Sequence, residues 1–459
     1  MFSRAHKALV ALFFFHAPFG QCRVNTIIRD VAIIGGGASG TFSAVRLRDE
    51  GKSVVLIEKE NILGGHVNTY QDPVTGTTVD YGVEIFHDMQ IVKDYFNRLN
   101  VSWAIEVLGP RSSAPDYLDG NTGQTVKYKA PNPVAGLIAY AEQLSKYLNI
   151  GLGFFLPDPV PDDFLLPFGQ FLAKYPDIGN ATYTIFSYGQ GLGNFLDQPT
   201  LYVFKNFGLD IIQGISSGFL VTTSSDNYEI YDHATKLLGS DVLLSSRVVS
   251  TQYRGDHGVE LDIETPTGTQ VVIAKKLLIA IPQKLNNMNR FALDTREANV
   301  FREFGNSGYY TSLVRNTGLP ANFTSYSVSP DTPYNIPRLP GVYDVVPTAI
   351  HGVFDVKYGS PHSVPDGFVR KQILSYIKKL QANGFAENVS GDPEFVAFKS
   401  HTPFELTVSR DKIANGFYKD FYSLQGHRNT WYTGAALHTQ DSSLIWNFTE
   451  SYVLPELLK

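Results

Sequence analysis

Between Val31 and Glu60 the chain reads VAIIGGGASGTFSAVRLRDEGKSVVLIEKE: an apolar run, spaced glycines, a helical stretch, a second apolar run and an acid. Few folds can use that order. The first run has strand length. ASGTFSAVRLRDEG has helical spacing at Ala38, Phe42, Val45 and Leu47 before Gly51 stops it, and KSVVLIEKE is again β-branched. A parallel strand–helix–strand unit is expected. In such a unit Gly35 permits the tight turn, Gly37 lets a pyrophosphate approach the main chain, and Gly40 brings helix against strand. Free N–H groups of the first helical turn, around Ser39, would meet the phosphates. Glu58, with Lys59 beside it, closes the second strand about twenty residues later, where a carboxylate accepts ribose hydroxyls. That acid disfavours a 2′-phosphate, so NADP suits the turn least. A glycine-rich turn with a solvated glutamate is the alternative reading.

At 459 residues the chain is long enough for two or three domains. Its 43% hydrophobic and 18% charged content is that of a globular protein. A formal charge of -6 without a basic block argues against nucleic acid as a partner. The start differs from the rest. MFSRAHK is basic, ALVALFFFHAPFG is apolar and QCR follows, the layout of a secretory signal ending near residue 23. An uncleaved anchor is the alternative. No stable membrane span is expected in the mature chain, which would be secreted or held in the secretory pathway. Cleavage removes Cys22, the only cysteine. Sequons at Asn100, Asn180, Asn322, Asn388 and Asn447 suit a glycoprotein on that route.

After Glu58 comes ENILGGHVNTY, with Gly64, Gly65 and His66, and then the strand-like TTVDYGVEIFHD. Here the chain resembles the flavin-containing amine oxidase superfamily, and more closely the fungal β-cyclopiazonate dehydrogenase family, through IIGGGASG, LGGH and DYGVEIFH. The resemblance implies FAD rather than NAD, with the glycine pair passing the extended cofactor. His66 stands where amine oxidases carry arginine, and a covalent tether to flavin is a further option for it. By the same resemblance DYGVEIFHD passes the flavin ring, with Gly82, Val83 and Ile85 against it. Val248, in the meander GSDVLLSSRVVSTQYRGDHGVELDIETPTGTQVVIAKKLLIAIP, would touch adenine. In NTWYTGAALHTQDSSLIWNFTESYVLPELL, Gly434 lies near the cofactor, Asp441 or Ser442 caps the closing helix, and the amides of Ser442, Ser443 and Leu444 face the flavin pyrimidine. Ala435 replaces the acid that most amine oxidases have there.

The expected fold is α/β: a doubly wound, Rossmann-like FAD domain from 24–95, 225–285 and 400–459, with an interleaved α+β substrate domain from 96–224 and 286–399. GLIAYAEQLSKYLNIGLGFFLPDPVPDDFLLPFGQFLAKYPD reads as two helices around a proline-rich break, a wall of the substrate cavity or a membrane-surface element. GNSGYYTSLVRNTG and FVRKQILSYIKKLQANG add a strand and an amphipathic helix. His87 is the first candidate for an acid or base above the ring, and a structural histidine at the strand end is the alternative. His438 is the second candidate, and Tyr432 suits an aromatic wall. No metal is expected, since the histidines lack ligand spacing, and GASG lacks the GxSxG elbow of a serine hydrolase. The expected activity is FAD-dependent dehydrogenation of a small molecule of fungal secondary metabolism, forming C=N or C=C, with ring closure an option and oxygen a suitable acceptor. The rivals are a flavin-dependent isomerase or desaturase, and a binding protein without redox activity.

Overall fold

The computed structural model describes residues 25–107, 114–389 and 391–459. The expected secretory signal lies outside these residues. Strands Asn25–Ile34 and Val54–Ile57 pair in parallel, with Val31 opposite Val54 and Ile34 opposite Ile57. Helix Ala38–Asp49 connects them. Val31–Ile34 and Val54–Ile57 are buried throughout. A parallel strand covered on both faces needs apolar side chains at every position, which is why these runs do not alternate.

The meander follows the pattern of its turn signals. Arg247–Gly255, Gly258–Thr265 and Gly268–Ile279 are antiparallel neighbours, and Gly268–Ile279 lies parallel to Asn25–Ile34. The sheet runs Val242–Leu243, Val54–Ile57, Asn25–Ile34, Gly268–Ile279, Gly258–Thr265, Arg247–Gly255, and Thr430–Tyr432 joins the far end of Gly268–Ile279. Three distant stretches of chain therefore build one Rossmann-like sheet.

A second sheet runs Glu394–Ser400, Gly305–Arg315, Phe354–Ser360, Gly341–Pro347, Ser325–Ser327, Asp116–Leu118. Helix Asp366–Ala382 covers one face, burying Val369, Ile373, Tyr376, Ile377 and Leu380 in one cluster with Val345, Phe354 and Val356. Strand Phe404–Thr407, expected with the dinucleotide segments, belongs instead to this sheet, where it pairs with Gly305–Ser307. Glu394–Ser400 covers the Gly305–Arg315 strand only from Tyr310 onward, so its first residues need another partner.

Two sequence expectations change in detail. TTVDYGVEIFHD is a strand only over Thr78–Asp80. Beyond it, Tyr81 N–H donates to Asn68 O (2.9 Å) and Val83 N–H to His66 O (3.2 Å), and Phe86 makes an isolated bridge to Leu220. Single bonds to different partners hold this segment extended without a ladder. The proline-rich region does form helices Val134–Leu144 and Phe168–Lys174, but Tyr140, Phe168 and Phe171 are buried in the main core rather than offered to a membrane. Among the described residues, no helix is long and apolar enough to cross one.

One buried ion pair ties the meander to the C-terminal strand. Arg254 and Glu297 are wholly buried and bonded to each other, Tyr432 Oη donates to Glu297 Oε1 (2.8 Å), and Arg428 lies 3.3 Å from Glu297 Oε2. Tyr432 thus belongs to this network through its hydroxyl, while its ring packs against Phe301 and Phe421. Glu297→Ala strands the buried Arg254 guanidinium and should cost about 3–5 kcal/mol in denaturant unfolding. Arg247→Ala, which breaks the exposed pair with Glu264, should cost no more than about 1 kcal/mol.

Candidate functional site

The turn after the first strand is made of main chain. Gly35 has φ +98, and a Cβ on Gly40 would lie 1.8 Å from Gly35 O, so the helix can start against the strand only without a side chain there. Gly37 differs: a Cβ would meet only Gly65 Cα, at 3.7 Å. The second glycine pair docks on the first turn, with Gly64 N–H donating to Gly36 O (2.8 Å) and a Cβ on Gly65 falling 2.9 Å from Gly37 Cα. No side chain caps helix Ala38–Asp49, so its first amides are open to an anion beside Ser39. Glu58 is buried with its carboxylate fixed in place. It accepts from Gly36 N–H (2.6 Å) and Glu60 N–H (2.8 Å), leaving lone pairs on both oxygens beside the turn. Lys59 points to solvent near Glu60. Val248 is buried, two residues beyond Ser246, whose N–H donates to Glu58 O (2.8 Å).

Residues from three other segments meet this turn. Gly434 has φ +110, and a Cβ there would lie 3.5 Å from Ser39 Oγ. Gly82 is pressed onto His66 O, where a Cβ would fall at 2.1 Å. Val83 and Ile85 are partly exposed in the same extended segment. The His66 ring stacks on His401 at 4.3 Å, and burial lowers its pKa to about 4, so the imidazole is neutral. These residues fit an extended, phosphate-bearing cofactor: a cradle without side chains, an uncapped helix and a carboxylate for the sugar.

At the C-terminal helix the cap is one of the two expected, and its bond changes the role expected of Leu444. Asp441, not Ser442, is the cap: Asp441 Oδ1 accepts from Leu444 N–H (2.9 Å), which removes that amide from any role toward a ligand. Ser443 Oγ accepts from His87 N–H (3.0 Å), and His87 Nε2 lies 3.0 Å from Asp441 Oδ2. His87 is only 3% exposed, so it supports the helix start rather than standing open to substrate. Burial disfavours its charge, but Asp441 and Asp210 outweigh that and raise its pKa; the Asp441 pKa is raised by burial yet lowered overall by His87. His438 is also turned away, with Nε2 2.8 Å from Gly151 O and 3.0 Å from Lys205 Nζ. Burial pushes both His438 and Lys205 well below their usual ranges. Both histidines chosen from the sequence are thus engaged within the protein.

Several polar residues of the interior escaped the sequence reading. Lys357 Nζ lies 2.6 Å from Glu84 Oε1 and 3.5 Å from Asp355 Oδ2. Glu405, in a left-handed conformation at φ +41, accepts from Asn206 (2.8 Å) and Thr439 (3.2 Å), and burial raises its pKa to about 7. The available signal was alternation. FDVKYGS places Asp355 and Lys357 on one face of a strand whose other face is apolar. Among the described residues, Asp294, Glu297 and His427 bring possible metal-ligand atoms within 4.8 Å of one another. Arg254 and Arg428 already neutralise Glu297, so this trio suits an ion pair and not a metal.

Residues 33–99 match the NAD(P)-binding Rossmann-like domain family. The chain is 40% identical to the FAD-dependent oxidoreductase pigF of Monascus ruber over 95% of its own length and 93% of that protein. It is 34% identical to the beta-cyclopiazonate dehydrogenase of Aspergillus oryzae over 93% and 92%. Among solved structures, the CLA-producing fatty acid isomerase from P. acnes shares the fold, with a TM-score of 0.71 at 18% identity, covering 93% of this chain and 98% of that one.

Gly40→Ala should destabilise the folded protein, because its methyl meets main chain. Gly37→Ala should fold normally and retain less dinucleotide. Unfolding midpoints and cofactor stoichiometry of the two variants check this contrast. A second expectation concerns pH. With its folded pKa raised above 6.5, His87 contributes stability that is full below that value and is lost as pH rises through the folded pKa. With its folded pKa lowered below 3.8, Asp441 contributes stability above that value, lost as pH falls through the folded pKa. Urea unfolding should therefore show His87→Gln losing most, relative to wild type, between about pH 4 and 6.5, with the gap closing in alkali.

Proposed function

This chain belongs to the family of fungal FAD-dependent oxidoreductases that includes the beta-cyclopiazonate dehydrogenase of Aspergillus oryzae, and from that premise we propose that it dehydrogenates a small secondary metabolite in the secretory pathway or outside the cell. The observation that carries the reading is the glycine turn Gly35–Gly37 closed by Gly40, with Gly64–Gly65 docked on it and Glu58 fixed beside it. FAD, when bound, supplies the hydride acceptor. Glu58 would hold its ribose, and the open amides around Ser39 its pyrophosphate, beside Gly434. Ser442 and Ser443, at the start of the C-terminal helix, would face the flavin pyrimidine, where the helix dipole favours negative charge. Gly82, Val83 and Ile85 would flank the ring, and Val248 the adenine. The protein's remaining task is to hold a substrate C–H bond against the ring, which makes orientation the main contribution of its side chains. C=N or C=C formation, with or without ring closure, is the reaction class, and molecular oxygen is a suitable acceptor.

The basic-then-apolar start of the chain supports secretion, and Asn100, Asn180, Asn322 and Asn388 are exposed where a glycan could be attached. The purified protein should be yellow. Anaerobic mixing with a substrate should bleach it permanently, whereas an isomerase would return to the oxidised spectrum and a binding protein would not change. Glu58→Ala should lower FAD occupancy after gel filtration by about tenfold or more, the effect of losing two charge-assisted hydrogen bonds. Unchanged occupancy would remove Glu58 from the ribose site.

A further inference from the structure

Helix Val134–Leu144 is apolar on both sides. Its inner face buries Leu137, Tyr140 and Leu144 in the main core. The outer face of its first turns carries Val134 and Ile138, each 59% exposed and, four residues apart, side by side. A surface helix ordinarily gives that face to charged residues. Adjacent aliphatic side chains in water mark a place where something else packs.

The short helix Pro176–Ala181 packs beside this face. Gly136 permits the approach: a Cβ there would fall 2.8 Å from Ala181 N and 2.9 Å from Ile178 O. Ile178 and Ala181 are wholly buried, whereas Asp177 and Asn180 are exposed. Between the two elements lies an open groove of about 560 Å³, with Ala135, Ile138 and Glu142 on one wall and Pro176, Asp177 and Asn180 on the other.

Asn180 begins the sequon Asn180-Ala181-Thr182. Thr182 is wholly buried, so a transferase that reads its hydroxyl acts on the chain before it folds. A sugar added then is already tethered to the groove wall when the short helix docks, and the tether gives it a high effective concentration there. Charge selects among other occupants. The ionisable side chains lining the groove are Glu142 and Asp177, both acids, on a chain of formal charge -6. Carboxylates beside aliphatic side chains suit a neutral ligand that has O–H and N–H donors and an apolar ring face. They disfavour an anionic lipid surface or a second copy of the same acidic face.

Resting on the secretory route read above, we propose that Asn180 carries an N-linked glycan whose innermost sugars are seated in this groove, over Ile138 and against Glu142 and Asp177. The Asn180 amide nitrogen displaces a polyprenyl diphosphate from the anomeric carbon of an oligosaccharide. One N–C bond forms, one C–O bond breaks, and the nitrogen loses a proton. The sugar rings then cover the aliphatic surface, and their hydroxyls donate to the two carboxylates.

The test uses full-length holoprotein made in a secreting yeast, once with its own first residues and once with a general secretion leader in place of residues 1–23. Mass spectrometry of the tryptic peptide 175–205 should find Asn180 glycosylated. Peptide N-glycosidase should release that glycan from the native protein at least about tenfold more slowly than from Ile138→Ser, which removes the aliphatic bed at an exposed position. If that variant does not fold, Glu142→Gln, which weakens only an acceptor, should speed release in the same direction. An unmodified Asn180 in secreted protein, or equal release from wild type and the folded variants, would overturn the seat. Glycosylated wild type that floats with phosphatidylserine vesicles, or elutes as a dimer, in a way that Ile138→Ser abolishes would give the face to a lipid surface or a second copy instead. Retention in the cell with its own first residues would overturn the secretory reading alone, because the leader-borne protein still reports on the groove.

Discussion

The structure depends on main chain meeting main chain at the first turn. Gly40 lies so close to Gly35 O that no Cβ fits between them, and a Cβ on Gly65 would fall 2.9 Å from Gly37 Cα. Each approach fixes something downstream. The first aims the uncapped amides of helix Ala38–Asp49 at the end of the sheet, and the second brings the chain that carries His66 over the same spot. Glu58 then links the two strands electrostatically by accepting from Gly36. A fold arranged in this way has polar backbone groups facing a common point, and their cost is offset when an anion is bound there.

The parts that were legible in the sequence are those whose partners are close in the chain. Gly35, Gly37, Gly40 and Glu58 fall within 24 residues, and each has a local reason for being the residue it is. The meander and the closing helix were legible too, because turns and caps leave signatures in composition. The extent of the second sheet was not. Phe404–Thr407 reads like any short apolar strand, and only an open edge on Gly305–Arg315 decides where it pairs. Lys357 and Glu84 are 273 residues apart, so nothing in either neighbourhood announces their contact.

The two histidines show why residue type alone is a weak guide to chemistry. His87 and His438 do sit near the expected end of the cofactor domain, yet each has its ring turned into protein. His87 faces the aspartate that caps the C-terminal helix, and His438 faces a buried lysine. The cap bond to Leu444 N–H holds the Asp441 carboxylate where its other oxygen meets His87. One carboxylate thus serves both the cap and a side chain more than 350 positions away.

The His87–Asp441 pair also bears on the charge that a ligand would meet at this helix. A bare aspartate at the helix start would oppose any negative charge developing there, even while it capped the amides. A histidine whose charged form is favoured by that same aspartate removes much of the opposition and leaves the helix dipole to act. The Asp441 oxygen that bonds Leu444 N–H holds the helix start in place, and the other faces the imidazole. Capping and charge balance are therefore divided between the two oxygens of one carboxylate. With Asp441 paired to His87, the amides of Ser442 and Ser443 present a more positive field than they would beside a bare aspartate.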